Sequence, residues 1–254
     1  MRVLKRYGQN FLADKNILAC IIKRACLSPD DVILEIGPGH GVLTRALLAE
    51  NVKCVHCVEI DERLRPELEE IAQNDSRLCL HWHDAVKFSY GSLSPFPNKV
   101  IANIPYNITT PLLWELLKFA GMGLTYHLYM LQKESAMRII APEDTKERYP
   151  LGVTVQAMGR AAVVRNVPRE CFRPVPNVDS VIAEIVLDKN FGLANDSLWS
   201  EILHKGFSHR RKTLANNLKN FADVLNYGAM RAEDLTCSEW LEIYGRKKNS
   251  PAFV

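Results

Sequence analysis

Val32-Ile-Leu-Glu-Ile-Gly-Pro-Gly-His-Gly41 is the stretch that decides the fold. Its first five residues read as a short buried strand, and the glycines at alternate positions behind it read as a tight turn into a helix. Glycines there let the backbone turn sharply and let a ligand lie on the main chain without meeting a Cβ. A dinucleotide fingerprint, GxGxxG, would carry its third glycine at position 42, which is Val42. The pattern is instead ExGxGxG, with no dedicated pyrophosphate cradle. It suits a nucleoside whose amino-acid tail crosses the loop, and taken singly it is also compatible with a plain tight turn.

Working outward, Ile17, Leu18, Ile21, Ile22 and Ala25 fall at helical spacing behind Asp14, a plausible N-cap. Downstream the reading is helix 42–50, strand 53–59, helix 62–74, strand 78–83, strand 99–103, helix 109–120, strand 125–131 and helix 132–140. Strands that are apolar throughout and alternate with helices imply a parallel sheet covered on both faces. Residues 161–167 and 181–187 then read as two strands joined by a loop containing Pro168, Pro174 and Pro176, which suits an antiparallel hairpin closing the sheet edge. Beyond residue 190 only short helices are signalled, over 198–207, 211–221 and 238–244. The expectation is an α/β, Rossmann-like domain over 1–190, with a mostly parallel seven-stranded sheet, and a small all-α domain over 191–254.

Three acids end successive strands: Glu35, Glu59 and Asp84. Ligands of open α/β sheets bind at that edge. The Glu59 carboxylate can accept both hydroxyls of a ribose, and Asp84 is placed to accept from an adenine amino group. At the same edge the fourth strand ends in Asn103-Ile-Pro-Tyr106. An exocyclic amine of a nucleobase is a poor nucleophile because its lone pair is delocalised into the ring. The Asn103 side-chain oxygen and the Ile104 carbonyl can accept its two N–H groups and aim the lone pair at a methyl donor. Pro105 stiffens the loop, and Tyr106 offers a flat face to an extruded base. A simple turn would welcome Asn and Pro without needing all four residues.

With 254 residues, 47% hydrophobic and 24% charged, the chain is an ordinary globular protein of one or two domains. The formal charge is only +3, so what matters is its distribution. Arg2, Lys5, Arg6, Lys15, Lys23 and Arg24 cluster near the start, and Lys205, Arg210, Arg211, Lys212 and Lys219 follow one another with no acid between them. Such patches are either nucleic-acid contacts or solvated helix faces. The opening residues have no apolar core typical of a secretory signal, and no run is long enough to span a membrane. Seven cysteines, an odd number in apolar contexts, fit a reducing, cytoplasmic setting rather than a disulfide framework. Cys54-Val-His-Cys57 with Cys79, His81 and His83 suggests a metal, but a strand sends Cys54 and Cys57 to opposite faces, and the expectation is no metal.

These motifs together resemble the KsgA family of small-subunit rRNA adenine dimethyltransferases, class I methyltransferases that use S-adenosylmethionine. The resemblance runs through Gly8-Gln-Asn-Phe-Leu12, Glu35-Ile-Gly-Pro-Gly39, Val58-Glu-Ile-Asp61, His83-Asp-Ala85, Asn103-Ile-Pro-Tyr-Asn107, Phe172-Arg-Pro-Val-Pro-Asn-Val-Asp-Ser180 and Phe207-Ser-His-Arg-Arg-Lys-Thr-Leu214. It implies that Asn10, Leu12, Gly37, Glu59, Asp84 and Asn103 line the S-adenosylmethionine pocket, and that Asn103, Ile104, Pro105 and Tyr106 form the catalytic loop. Phe172 looks like a second stacking aromatic, or else a hairpin-tip residue packed on the core. Arg210, Arg211 and Lys212 look like phosphate contacts. The implied substrate is two adjacent adenosines near the 3′ end of 16S rRNA in the small ribosomal subunit, each methylated twice on N6 by a monomeric enzyme. Ile104 replaces a common Leu but keeps the carbonyl, and His40 stands where an apolar residue is frequent. The similar Erm-type methyltransferases of 23S rRNA are the alternative.

Overall fold

The computed structural model describes residues 10–219 and 226–249. Arg2, Lys5 and Arg6, the Gly8-Gln9 start of the first motif and Phe221 lie outside them. The strands are β1 (Phe11–Leu12), β2 (Val32–Ile36), β3 (Cys54–Glu59), β4 (Leu78–Trp82), β5 (Lys99–Asn103), β6 (Tyr126–Gln132), β7 (Gly159–Val167), β8 (Phe172–Arg173) and β9 (Ser180–Leu187). The helices are α1 (Lys15–Ala25), α2 (Val42–Leu48), α3 (Arg65–Asn74), α4 (Thr109–Leu117), α5 (Lys133–Ile140), α6 (Pro150–Met158), α7 (Ser197–Gly206), α8 (Leu214–Asn217) and α9 (Cys237–Lys248).

The seven-stranded sheet runs in the order β4-β3-β2-β5-β6-β9-β7. β2 through β6 pair in parallel, and β9 pairs antiparallel with β6, so the expected mixed sheet is present. A small ladder of β1 with β8 sets Leu12 opposite Phe172. Every residue of β2 and β3 is buried, as strands covered on both faces must be. One face of the sheet supplies Ile33, Val55, Cys57, Ile101 and Leu128, which pack with Ile17 and Ile21 of α1, Leu43 and Leu47 of α2, and Leu68 of α3. Local chemistry sets the helix starts. The Asp14 carboxylate accepts from the amides of Asn16 and Ile17, and Pro66 occupies the first turn of α3, where no amide is missed.

Two compact units divide the chain: residues 1–136 with 162–186, and residues 137–161 with 187–254. The second is held by aromatics. Trp199 and Trp240 are fully buried, Trp199 Nε1 donates to Thr154 Oγ1 at 2.9 Å, and Trp240 stacks on Phe207 with ring centroids 5.6 Å apart. The helix expected over 211–221 is reduced to α8. The preceding Ser208–Lys212 segment is a set of turns, because Asn217 Nδ2 donates to the carbonyls of Gly206, at 2.6 Å, and His209, at 3.2 Å. A side-chain amide thus closes the loop that a helix would otherwise occupy. Trp199→Ala should destabilise the protein by about 3–5 kcal/mol through the cavity and the lost hydrogen bond, read as a lower midpoint in urea unfolding.

Candidate active site

A cavity of about 280 Å³ lies at the carboxyl ends of β2–β5, with Asn10, Phe11, Gly37, Glu59, Asp84 and the Asn103–Tyr106 loop among its lining. Its floor is the glycine turn. Gly39 has φ of +58°, and a Cβ built there would stand 2.8 Å from the Phe11 ring, so position 39 must be glycine on both counts. Phe11 also packs against His40, with ring centroids 4.6 Å apart, and His40 Nδ1 lies 2.6 Å from Glu67 Oε2. His40 therefore props the turn from outside the cavity.

Glu59 is 6% exposed. Its Oε1 accepts from the amides of Ile60 and Asp61 at 2.9 and 2.8 Å, and its Oε2 accepts a longer bond, 3.3 Å, from Gly39. Burial pushes its carboxyl above the ordinary range, while the three amides pull the other way. Asp84 Oδ1 is taken by the Val86 amide at 2.9 Å. Glu35, by contrast, is sealed off: it accepts from Thr44 Oγ1 at 2.7 Å and Cys57 Sγ at 3.4 Å, and burial raises its pKa to about 7. Although it stands one residue before the end of β2, beside the glycine turn, it is a core carboxyl and not a lining group.

The Asn103–Tyr106 loop is held by contacts that leave specific atoms unengaged among the described residues. Asn103 Nδ2 donates to the Asn10 carbonyl at 3.0 Å, which identifies the amide's nitrogen side and leaves Oδ1 without a donor among the described residues. The Ile104 amide donates to the Met130 carbonyl at 3.2 Å, whereas no described N–H donates to the Ile104 carbonyl. The Tyr106 hydroxyl is 3.0 Å from Ser180 Oγ, so the phenol is tied down at its polar end while its ring lines the cavity.

Leu12 and Phe172 stand apart from this group. Phe172 is fully buried in the core and does not line the cavity, which agrees with its packed, hairpin-tip reading. Leu12 is its partner in the β1–β8 ladder and also belongs to the core. Alternation along that two-residue strand turns the neighbouring Phe11 to the cavity instead, a signal the sequence offered. Arg210 is engaged within its own unit. It donates to Glu233 Oε2 at 2.6 Å and to the Lys146 carbonyl, and it stacks 4.6 Å over Tyr149. Arg211 and Lys212 are exposed and make no ion pair among the described residues.

A mostly parallel, Rossmann-like sheet with a glycine turn, strand-end acids and an Asn-Ile-Pro-Tyr loop at one edge defines a class I methyltransferase. The family model described as ribosomal RNA adenine dimethylase matches residues 2–245. A protein of Chromobacterium violaceum called ribosomal RNA small subunit methyltransferase A is 37% identical over 94% of this chain and 93% of its own length. One of the same description from Saccharophagus degradans is 38% identical over 95% and 93%. Among solved structures, a dimethyladenosine transferase from Plasmodium falciparum superposes with a TM-score of 0.80, at 28% identity, over 92% of this chain and 95% of that one. The 23S rRNA methyltransferase ErmE, at 24% identity and a TM-score of 0.70, shares the fold. The chain belongs to the ribosomal RNA adenine dimethylase family and is an rRNA adenine N6,N6-dimethyltransferase. No helix among the described residues is long and apolar enough to cross a membrane.

The buried Glu35 makes stability depend on pH. Its folded pKa, about 7, lies above the ordinary 4.5, so its contribution is fully present below pH 4.5 and is lost as pH rises through 7. Glu35→Gln keeps the acceptor for Thr44 and removes the charge. It should make the protein more stable than wild type at pH 8, by up to about 3 kcal/mol, with little difference at pH 4. Urea unfolding of both proteins at the two pH values checks this, and parallel profiles would contradict it.

Proposed function

We propose that this enzyme transfers methyl groups from S-adenosylmethionine, held in the cavity described above, to N6 of two adjacent adenosines near the 3′ end of 16S rRNA in the small ribosomal subunit. The relatives named small subunit methyltransferases support the choice of substrate. The observation that carries the chemistry is the pinned Asn103 amide, with its Oδ1 and the neighbouring Ile104 carbonyl left as acceptors at the cavity.

The residues present fit the donor. The glycine turn leaves room for a ligand against the main chain, Glu59 Oε2 retains accepting capacity for a ribose hydroxyl, and Asp84 is positioned at the third strand end for an adenine amine. S-adenosylmethionine supplies an electrophilic methyl on a sulfonium, which needs no further activation. What remains for the protein is orientation. In the first transfer Asn103 Oδ1 and the Ile104 carbonyl accept the two N–H groups of the target amine, drawing its nitrogen toward tetrahedral geometry and pointing the lone pair. In the second, one N–H remains and one acceptor holds it, and in each transfer the nitrogen loses a proton to solvent. The Tyr106 ring supplies a stacking face for a base taken out of its loop, and unstacked loop bases are the form in which RNA exposes its edges. Arg211 and Lys212, exposed in residues 191–254, serve as phosphate contacts that position the particle. Arg210 holds their loop through Glu233.

The decisive experiment is transfer of a labelled methyl group to unmethylated small subunits, with mass analysis of the adenosines. Dimethyladenosine confined to two neighbouring positions is expected. Methylation of naked large-subunit RNA with none on small-subunit particles would overturn the assignment. Asn103→Ala should abolish transfer while changing affinity for S-adenosylmethionine by less than about 1–2 kcal/mol, measured by calorimetry, because one hydrogen-bonding group is removed. Tyr106→Phe should be milder than Tyr106→Ala. The first loses the bond to Ser180, while the second also loses stacking worth about 1–3 kcal/mol in kcat/KM. Equal losses would show that the hydroxyl, not the ring, carries the role.

A further inference from the structure

The alternation that separates Cys54 from Cys57 puts His56 on the same face as Cys54. The parallel register of β3 and β4 then sets Cys79 beside His56 and His81 beside Val58. The side chains meet. Cys54 Sγ lies 3.8 Å from Cys79 Sγ and 3.6 Å from His56 Nε2, and all three donor atoms fall within 4.8 Å of one another. Around a tetrahedral zinc ion, with Zn–S of about 2.3 Å and Zn–N of about 2.0–2.1 Å, neighbouring sulfurs stand roughly 3.8 Å apart and sulfur and nitrogen roughly 3.5 Å apart. The Cys54–Cys79 and Cys54–His56 separations match these values, and the third pair lies within 4.8 Å.

We propose that Cys54, His56 and Cys79 form a binding site for a thiophilic cation of the zinc class, separate from the catalytic cavity. Two thiolates and an imidazole are a donor set that selects zinc over the hard cations, which prefer oxygen. The surroundings supply the rest of a coordination shell. His56 Nε2 lies 2.9 Å from the Pro95 carbonyl, and His56 Nδ1 lies 3.1 Å from His81 Nε2. A cation taken at Nε2 moves the imidazole proton to Nδ1, where His81 accepts it and fixes the ring, an arrangement typical of ligating histidines. The Pro95 carbonyl or a water fills the fourth position. Both thiols lose their protons to solvent as the two metal–sulfur bonds form, and nothing is oxidised or reduced.

Access is from one side. Cys54 and His56 are 5% and 1% exposed, while Cys79 is half-buried on β4, the edge strand of the sheet. The site also bears on the segment that opens with Asp84. His81 and His83 pack against Phe88 at centroid distances of 5.2 and 5.7 Å, and Pro95 closes the same loop over His56. A bound cation ties β3, β4 and this loop together and stabilises the folded chain by mass action.

The test uses the full-length chain, reduced and freed of metal, titrated with Co2+ under anaerobic conditions and then with Zn2+. The expected result is one cobalt per chain with the intense visible bands of tetrahedral coordination and a thiolate-to-cobalt charge-transfer band, all bleached by zinc. Cys79→Ser should weaken binding by roughly tenfold or more and remove most of the charge-transfer intensity, while Cys26→Ser, at an exposed thiol, leaves both unchanged. Should Cys79→Ser fail to fold, alkylation of the wild-type chain decides the matter: one equivalent of Zn2+ should shield Cys54 and Cys79 and leave Cys26 reactive. No stoichiometric cobalt band, no shielding by zinc, a band that survives Cys79→Ser, or formation of a Cys54–Cys79 disulfide in the presence of equimolar zinc would each overturn the proposal.

Discussion

Three backbone hydrogen bonds that continue the parallel ladder past the strand ends hold this active site in place. The Gly37 amide donates to the Val58 carbonyl at 2.9 Å, the His83 amide to Glu59 at 2.9 Å, and the Ile104 amide to Met130 at 3.2 Å. Each carries sheet register one step into a loop that would otherwise be free to choose its path. Glu59 and Asn103 end β3 and β5, the glycine turn and Asp84 follow the ends of β2 and β4, and parallel pairing delivers all of those ends to one edge. Because a slip of one residue turns every side chain to the other face, the register that buries Val55 and Cys57 also decides where Glu59 points. Core packing and ligand geometry are thus one constraint.

The two carboxylates nearest the glycine turn show how environment divides roles. Glu59 is offered three amide donors, the groups that best satisfy an anion, and it sits in the lining of the cavity. Glu35 is offered a hydroxyl and a thiol in a fully buried site, and its pKa rises to about 7. Desolvation raises both carboxyls; at Glu59 three backbone amides oppose that rise, whereas Glu35 has only a hydroxyl and a thiol. Two anions side by side would repel each other, and a neutral Glu35 relieves its repulsion with Glu59.

Residues 32–103 are legible in sequence because strands buried on both faces form unbroken apolar runs, and because glycine, Asn and Pro mark the turns. What is not legible depends on partners distant in the chain. No signal marks α6, whose residues are nearly all buried and so show no amphipathic period. A composition change near residue 190 suggests a boundary, and one of the two compact units does resume at 187, yet that unit also takes in residues 137–161. The Arg210-Arg-Lys run reads as three equivalent cations, and only the fold shows Glu233 and Tyr149 claiming the first of them. Phe172 looks like a recognition aromatic in a proline-rich tip until the β1–β8 ladder is seen to bury it. At Cys54 the sequence reading names Cys79, His81 and His83 and separates the two cysteines of the CxxC, but the register of β3 on β4 that sets Cys79 beside His56 is not legible in it.

The antiparallel hairpin at the sheet edge gains a purpose from the same geometry. β9 begins at Ser180, opposite Gln132 of β6, and the Ser180 hydroxyl is the partner of Tyr106. Tyr106 therefore spans from a loop on β5 to a strand that reaches β6 from the other direction, and the bond to Ser180 anchors the far end of its ring. Pro105 has no amide to satisfy, its carbonyl accepts from the Ile108 amide at 3.2 Å, and the Asn103 nitrogen is occupied by Asn10. Among the described residues nothing donates to Asn103 Oδ1 or to the Ile104 carbonyl, and the Tyr106 ring lines the cavity. In the proposed reaction these features meet the target amine, and none of them depends on the side chain of residue 104, which is buried. On that proposal a Leu or an Ile there serves equally, because the chemistry at that position belongs to the main chain.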